Sequence, residues 1–227
     1  MQPVQRSSNR RRFLKTTAAI ASGITGVSLF PAAGFASPLP AGNLTADNEM
    51  NIIGPKEGYS PQIGTLVSMM TWMRTVMLSS VKGMTREQLD FLLDDKANTI
   101  GAMLYHLAAT DTFYHLHTFE GIKWGAWDDS YNKKWETAME LGDPARKTIK
   151  GNDLNFYTDL LTESREKTLA QLKKRDDKWL MTVDKEWPWG PTNNYCKWFH
   201  VCEHESNHNG QIKFVKSRLP GAKKSGD

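Results

Sequence analysis

Two histidines near the C-terminus are the residues whose spacing points most directly to chemistry. Residues 204–208 are His-Glu-Ser-Asn-His, which matches the H-E-x-x-H pattern of zinc metalloprotease helices. On a helix, His204 and His208 lie about 6 Å apart along the axis and near one face, so their imidazoles can bind the same metal ion. The pattern alone leaves open whether such a metal serves proteolysis or another reaction.

The sequence downstream of this pair argues against a protease. Helices of this protease class take their third metal ligand from a Glu, His or Asp that comes later in the chain. Residues 209–227 contain no His and no Glu, and their single Asp is the C-terminal residue, Asp227. A third ligand therefore has to come from an earlier part of the chain. His106, which lies among apolar residues in a predicted helix, is the best donor.

The surroundings of these histidines resemble a known family. Residues 98–107 have the pattern N-T-I-G-x-x-x-x-H-L, and residues 204–212 have the pattern H-x-x-x-H-x-G-Q-I. Together, over roughly residues 60–220, they resemble the DinB-like superfamily of four-helix-bundle metalloproteins. The lead-in Gly-Pro-Lys-Glu-Gly-Tyr at residues 54–59 is also similar to that of exported bacterial members.

The resemblance implies a divalent metal site made by His106, His204 and His208. Zinc is the expected metal, and nickel suits the same ligands. Three imidazoles leave a coordination position open, which is the arrangement of a catalytic rather than a structural site. Members of the family resemble thiol-dependent transferases and isomerases, and some are described as hydrolases. The resemblance therefore implies a metal-dependent enzyme that acts on a small molecule.

Two kinds of function stay open at this point. The first is an enzyme with hydrolase-like or thiol-transferase-like chemistry on a small molecule that the sequence does not identify. The second is a non-catalytic metal- or ligand-binding protein of the cell envelope. An exported enzyme would not meet the thiol cofactors of the cytoplasm, which slightly favours hydrolysis or a lyase-like reaction over thiol transfer.

The residues around the histidine pair have predicted supporting roles. Glu205 lies about 100° around the helix from His204, where it is either a general base beside metal-bound water or a solvated helix residue. Gly210 is predicted to let another helix approach closely, and Gln211 to make a hydrogen bond to a metal ligand or to another helix. The predicted partners for the second ring nitrogens of the ligands are backbone carbonyls, Asp111, Glu203, Glu205 and Gln211.

The remaining histidines are weaker candidates for the metal site. His115 points about 180° away from His106 and is predicted to lie on the surface. His117 shares the face of His106 but lies about 16 Å further along the axis, too far for the same metal. His200, one turn before His204, either lines the pocket or caps a neighbouring carbonyl.

The two cysteines and the eight tryptophans are explained mostly by packing. Cys196 and Cys202 are six residues apart in a predicted helix and point about 240° apart, so an intramolecular disulfide would break that helix. Both thiols are predicted to be free and mostly buried. The alternative for Cys196 is a thiol that faces the pocket, since it lies one turn before His200. An aromatic wall over a small-molecule pocket is the alternative for the tryptophans.

Residues 1–36 have the features of a twin-arginine signal peptide. Residues 9–15 are Asn-Arg-Arg-Arg-Phe-Leu-Lys, and an uncharged, mildly apolar stretch follows. The small residues Gly34 and Ala36 precede a predicted cleavage site before Ser37. We therefore expect export by the twin-arginine pathway, a periplasmic location and no stable membrane anchor after cleavage.

The basic net charge belongs to this leader. The chain carries a net charge of +4, and taking away the five basic residues of 1–36 leaves −1. The remaining chain therefore gives no electrostatic reason to expect binding to nucleic acid. We expect a small-molecule substrate as the partner, and the sequence is compatible with a homodimer.

The hydrophobic pattern predicts an all-α fold, a four-helix bundle with long Trp-rich connections. Apolar residues recur at helical spacing in four segments, which begin near Gln62, Asn98 or Thr99, Asp153 and Thr192. A long irregular connection is predicted at 122–151, and a second connection is predicted at 176–191. The predicted parts of the chain are a signal peptide at 1–36, an extended lead-in at 37–60, the bundle at 61–220 and a tail at 221–227.

Overall fold

A computed structural model describes residues 50–222 of the chain. The predicted signal peptide, the first part of the lead-in and most of the tail lie outside the described residues. Within residues 50–222, no helix is both long enough and apolar enough to cross a membrane.

Four long helices form a bundle and confirm the predicted all-α fold. They are α1 (Pro61–Val81), α3 (Ile100–Glu120), α6 (Leu154–Leu172) and α8 (Asn194–Lys216). Helix α3 packs against α6 and α8, and α1 packs against α8. Three of these helices have an N-cap side chain. Thr99, Asp153 and Asn193 each accept a hydrogen bond from a backbone N–H of the first turn.

Short elements connect the long helices. They are α2 (Arg86–Leu89), α4 (Asp129–Glu140), α5 (Gly142–Thr148), α7 (Asp177–Met181) and the strands β1 (Val183–Asp184) and β2 (Thr192–Asn193). The strands pair antiparallel, with Val183 opposite Asn193. A capping box opens α2, because the Thr85 side chain accepts from Gln88 N–H while the Gln88 side chain accepts from Thr85 N–H.

The prediction that residues 122–151 form an irregular connection is wrong, because α4 and α5 lie in this segment. Asp128 caps α4 by accepting hydrogen bonds from the backbone N–H groups of Ser130 and Tyr131. The helix buries Trp135 and Ala138 and exposes most of its other residues. The segment does carry a helical pattern, because Tyr131, Trp135, Ala138 and Met139 recur at helical spacing, and the sequence reasoning missed it.

Two apolar clusters make up the core. The first joins α3, α4, α6 and the end of α8 and includes Leu104, Leu107, Phe113, Trp135 and Leu161. The second joins α1, α7 and the start of α8 and includes Ile63, Met70, Tyr114, Leu180, Trp187 and Trp198. Six of the eight tryptophans lie in these clusters or pack against them, as predicted for most of them.

Two helical glycines, Gly64 and Gly101, permit a close approach, but neither is the predicted one. A Cβ atom at Gly101 of α3 would lie 2.6 Å from the hydroxyl oxygen of Tyr157 on α6, so only glycine fits there without a shift. A Cβ atom at Gly210 would meet nothing within 4 Å. The prediction that Gly210 lets another helix approach is therefore wrong, and Gly101 has that role between α3 and α6.

Candidate metal centre

The structure brings the three predicted histidines together. His106 comes from the middle of α3, and His204 and His208 come from successive turns of α8. One ligand atom from each lies within 4.8 Å of the other two, and the Nε2 atoms of His106 and His204 are 2.8 Å apart. Among residues 50–222 these three form a group that could hold one metal ion.

The short helix α4 fixes the ring of His106. Nδ1 of His106 lies 3.0 Å from the backbone carbonyl oxygen of Ala138, near the C-terminal end of α4. Carbonyls in the last turn of a helix have no partner within the helix, so Ala138 is free to accept this hydrogen bond. Donation from Nδ1–H leaves the lone pair of Nε2 directed toward His204. The predicted backbone-carbonyl partner is thus found for this histidine.

The three histidines are held in their neutral form, which is the form that binds a metal. Burial lowers the pKa of His106. Burial, together with His208, His106 and His200, lowers the pKa of His204 to about 3. Burial and the neighbouring His106 lower the pKa of His208 to about 4. At neutral pH the group therefore offers unprotonated nitrogens and carries no charge of its own.

The fit to a divalent metal is supported by a buried atom that lacks a partner. Nδ1 of His208 is buried and makes no hydrogen bond to any of residues 50–222. A buried imidazole nitrogen without a hydrogen-bond partner destabilises the fold, and coordination to a metal ion is one way to satisfy it. The donor set of three neutral imidazoles, one of them unsatisfied, suits zinc or nickel.

Glu205 belongs to a different polar cluster. The ion network, as we name it, consists of Arg74 on α1, Asp111 on α3, Arg165 on α6 and Glu205 on α8, one residue from each long helix. One carboxylate oxygen of Glu205 accepts a hydrogen bond from Nε of Arg74, and the other accepts from Arg165 at 2.9 Å. Asp111 accepts from the same two arginines at 3.0 Å each.

The network is closed and fully buried. Its four residues are each at most 8% exposed. Burial by itself raises the pKa of Asp111, but the guanidinium groups of Arg165 and Arg74 outweigh it and hold that pKa below its usual value. Remaining guanidinium N–H groups donate to backbone carbonyls, from Arg74 to Leu161 and from Arg165 to Met70. The network thus ties the four helices together at one level.

This placement corrects one interpretation of Glu205 and weakens the other. The solvated alternative is wrong, because the residue is 1% exposed. The general-base role stays a prediction, and the geometry does not favour it. Both carboxylate oxygens are engaged by arginines, and Glu205 is not part of the group of metal-ligating atoms found in the described residues. Asp111, a predicted hydrogen-bond partner of the ligands, is likewise turned to the arginines.

His200 lies beside the metal centre and contacts aromatic rings. Its ring centroid is 5.3 Å from that of His204, 6.0 Å from that of Tyr114 and 4.8 Å from that of Trp189. Nδ1 of His200 pairs with Glu203 at 3.3 Å, so Glu203 serves His200 rather than a ligand. Within residues 50–222 no carbonyl hydrogen bond of His200 is found. These contacts do not support the capping role, and the pocket-lining role stays a prediction.

The other two histidines lie outside the metal centre. The prediction that His115 lies on the surface is wrong, because its side chain is 12% exposed and faces Glu120 at 3.5 Å. It points into the groove between α3, α4 and α6, and burial lowers its pKa. His117 makes hydrogen-bond contacts with the carbonyl of Ile122 and with the side chains of Asp184 and Lys197.

Sequence reasoning missed the cluster that His117 forms. Nζ of Lys197 donates to Asp184 at 2.8 Å, and it lies 3.0 Å from Nε2 of His117 and 4.6 Å from the ring centre of Trp187. Lys197 is 1% exposed, although lysine is the residue type least expected in a core. Hydrogen bonding to Lys197 lowers the pKa of Asp184 to about 2. No pattern in the sequence pairs these three residues, since they are far apart along the chain.

The two cysteines are free, as predicted. The prediction that both are mostly buried is wrong for Cys196. Cys202 is half-buried, and burial raises the pKa of its thiol to about 11. Cys196 is exposed, because it lies on the outer side of the first turn of α8. Gln211 donates to Asn207 at 2.8 Å, a contact within its own helix.

Comparison with known proteins finds a family model that matches most of this chain. Residues 65–221 match the family model described as Mycothiol-S-transferase, a stretch that includes all three histidines. A crystal structure from Enterococcus faecalis, described as that of the conserved protein of locus, has a similar fold with a TM-score of 0.52. That likeness covers 67% of this chain and 93% of the other at 14% identity, so it supports the fold alone. No curated protein sequence matches the chain significantly.

Proposed function

The chain belongs to the DinB-like family whose model is described as Mycothiol-S-transferase, and on this basis we propose that it is a metal-dependent thiol S-transferase. The observation that carries the proposal is the group of three neutral histidines that could hold a metal ion. The proposed substrates are a low-molecular-weight thiol and a small electrophile. Mycothiol is the first thiol to test, because the family model carries its name.

The chain's own residues prepare the site for this chemistry. A divalent metal held by His106, His204 and His208 would lower the pKa of a thiol that binds at its open position. The hydrogen bond from His106 to Ala138 fixes the direction of one ligand nitrogen. Burial of the three rings keeps them unprotonated at neutral pH. In the reaction, a C–S bond forms, the thiol proton passes to water, and the leaving group departs with its electron pair.

The placement of Glu205 also favours thiol transfer over hydrolysis. In hydrolysis a general base commonly takes a proton from the attacking water, and Glu205 was the sequence's candidate for this role. Its two oxygens bind Arg74 and Arg165 instead. A thiol, with a pKa of about 8.5 when free, loses its proton more readily than water and depends less on such a base. For this reason we propose thiol transfer rather than the hydrolysis that the sequence slightly favoured.

A conjugation assay with a fluorogenic electrophile tests the proposal. Monochlorobimane becomes fluorescent when a thiol displaces its chloride, so the rate of C–S bond formation is read directly. We expect the purified protein to accelerate the reaction of mycothiol, a chelator to abolish the acceleration, and added zinc or nickel to restore it. His106→Ala should lose both metal and activity. His115→Ala, a half-buried histidine of the same helix, is the matched control and should keep both.

Two results would overturn this function. One is acceleration that persists without metal. The other is His106→Ala protein that binds metal stoichiometrically and retains full activity. If no thiol reacts but metal binds with one ion per chain, the non-catalytic binder becomes the better description.

We further propose that the protein acts in the periplasm after export by the twin-arginine pathway, and its thiol substrate would then have to be one that is present outside the cytoplasm. The support is the sequence of residues 1–36, with Arg10 and Arg11 ahead of an uncharged stretch. Changing both arginines to lysine should leave the precursor in the cytoplasm, as measured by fractionation and by the N-terminal sequence of the exported form. Unchanged export of that double variant would rule out this pathway.

A further inference from the structure

One tryptophan is held at the surface by a rigid turn. Trp189 is 57% exposed, whereas Trp187, two residues earlier, is 3% exposed. The N–H of Gly190 donates to the carbonyl of Trp187 at 2.8 Å, which closes a turn with Pro188 in its second position. Proline fixes its own φ angle, and Gly190 adopts a φ of 100° that suits glycine. The turn thus buries one indole and presents the next one outward.

The loop that carries this turn is anchored at its base. Strands β1 and β2 pair on either side of it, and Thr192 donates to the carbonyl of Gly190 at 2.8 Å. Asp184 of β1 is bound to Lys197 of α8 and to His117 of α3, both on long helices. Because the loop is fixed to the bundle on both sides, the position of Trp189 is fixed relative to α8.

A row of rings connects Trp189 to the metal centre. The edge of one ring faces the other where Trp189 meets His200, with centroids 4.8 Å apart and planes at 84°. His200 in turn lies 5.3 Å from His204, a member of the metal-binding group. The His200 side chain is 30% exposed. Because Trp189 is largely exposed despite this contact, part of its indole surface remains available for stacking.

We propose that Trp189 and His200 form a ring platform that selects substrates with a flat, uncharged ring beside the reacting group. This deepens the proposed function and rests on it, since the platform is useful only if a ligand binds at the metal. Stacking on an indole favours planar rings whatever their chemical composition, and it requires no hydrogen bond. Lys197 is paired with Asp184, and Glu203 is paired with His200, so neither pair offers a free charge to a ligand on the platform.

Hydroxamates of increasing size test the platform without a catalytic readout. Acetohydroxamate carries the metal-binding group alone, whereas benzohydroxamate and 2-naphthohydroxamate add one and two rings to the same group. The dissociation constant of each is measured by calorimetry on the zinc-loaded protein. We expect the aromatic compounds to bind more tightly than acetohydroxamate. Trp189→Ala should reduce this preference about 3- to 10-fold, the size of a stacking contact, and should leave the acetohydroxamate affinity unchanged.

The control variants separate stacking from general effects. Trp72→Ala removes another exposed tryptophan, on α1, and should leave all three affinities as they are. Trp189→Phe should keep most of the preference, because a flat ring remains. An equal preference in wild type and Trp189→Ala would overturn the platform. Acetohydroxamate binding without any aromatic preference would also overturn the platform and leave the metal function standing. No binding of any hydroxamate would overturn the open metal position, and the platform with it.

Discussion

His204 and Glu205 are neighbours in the chain, but they belong to two polar clusters of opposite character. Glu205 joins the ion network, in which two carboxylates and two guanidinium groups satisfy one another across four helices. His204 joins the metal centre, in which three neutral rings turn their nitrogens toward one another and Nδ1 of His208 has no partner in the described residues. The charged groups of the ion network satisfy one another, whereas the metal centre keeps a buried nitrogen without a partner among the described residues.

The difference separates a structural role from a functional one. Buried charges destabilise a fold unless each finds a partner, so a complete network such as this one needs no ligand to explain it. Buried nitrogens that face each other with lowered pKa values are poorly satisfied by the protein alone. An ion at their centre would satisfy all three. The function is therefore best sought at the cluster that is incomplete, although the charged cluster is the more conspicuous one.

The largest expected effect comes from breaking the closed cluster. Glu205→Gln removes one negative charge and leaves Arg74 and Arg165 with a single carboxylate between them. Removing one partner of a buried ion pair costs about 3–5 kcal/mol, so the unfolding free energy should fall by that order. Urea unfolding monitored by circular dichroism measures it.

A matched variant on the same helix checks the cause. Glu203→Gln removes a half-exposed carboxylate from α8, and its effect on the unfolding free energy should stay below about 0.5 kcal/mol. Equal stability of the two variants would show that the ion network does not hold the bundle together. If Glu205→Gln folds normally and loses only turnover, the general-base role would return.

The histidines of the metal centre should make the unfolding free energy of the metal-free protein depend on pH. In the unfolded chain, histidine has a pKa of about 6.5. In the folded, metal-free protein, the pKa values of His204 and His208 lie at about 3 and about 4. Between these values the unfolded state binds more protons, so the unfolding free energy should fall as the pH is lowered from about 6.5 to about 5.

A double variant isolates this effect. Each histidine can contribute at most about 1.4 kcal/mol per pH unit, and solvent reduces this for the partly exposed His204. His204→Gln combined with His208→Gln should flatten the dependence in chelator-treated protein, as measured by urea unfolding at pH 7 and pH 5. The same slope in wild type and variant would mean that these rings are not desolvated in solution.

The sequence predicted the open cluster better than the closed one, for a physical reason. Histidines four residues apart share a helix face, so the spacing of His204 and His208 alone predicts that their side chains lie close together. The four ionic residues lie on four separate helices, and nothing in the local sequence indicates which helices bring them together. Arg74 lies among apolar residues of α1, which is a local sign of a buried charge, but its partners cannot be identified without the fold.

The missed α4 has a different cause. Its apolar residues recur at helical spacing after the N-cap Asp128, but the segment was interpreted as irregular, and with it the carbonyl that orients His106 was missed. The helical phase also placed His115 wrongly on the surface, because phase gives the direction of a side chain but not whether another helix covers that side. Here α4 and α6 do.

The smallest expected effects come from two glycines that repeat the contrast between a closed and an open side. Gly101 lies on the packed side of α3, where an added Cβ would meet the Tyr157 hydroxyl at 2.6 Å. Overpacking of this kind costs about 1–3 kcal/mol, so Gly101→Ala should destabilise the protein by that order.

Gly210 lies in α8, and an added Cβ there has open space around it. In a helix interior alanine is favoured over glycine by about 0.5–1 kcal/mol, so Gly210→Ala should stabilise the protein. Thermal unfolding of the two variants should thus shift in opposite directions. A loss of stability in Gly210→Ala would mean that another element covers this side of α8 in solution, for which a second copy of the chain is the first candidate to examine by sedimentation.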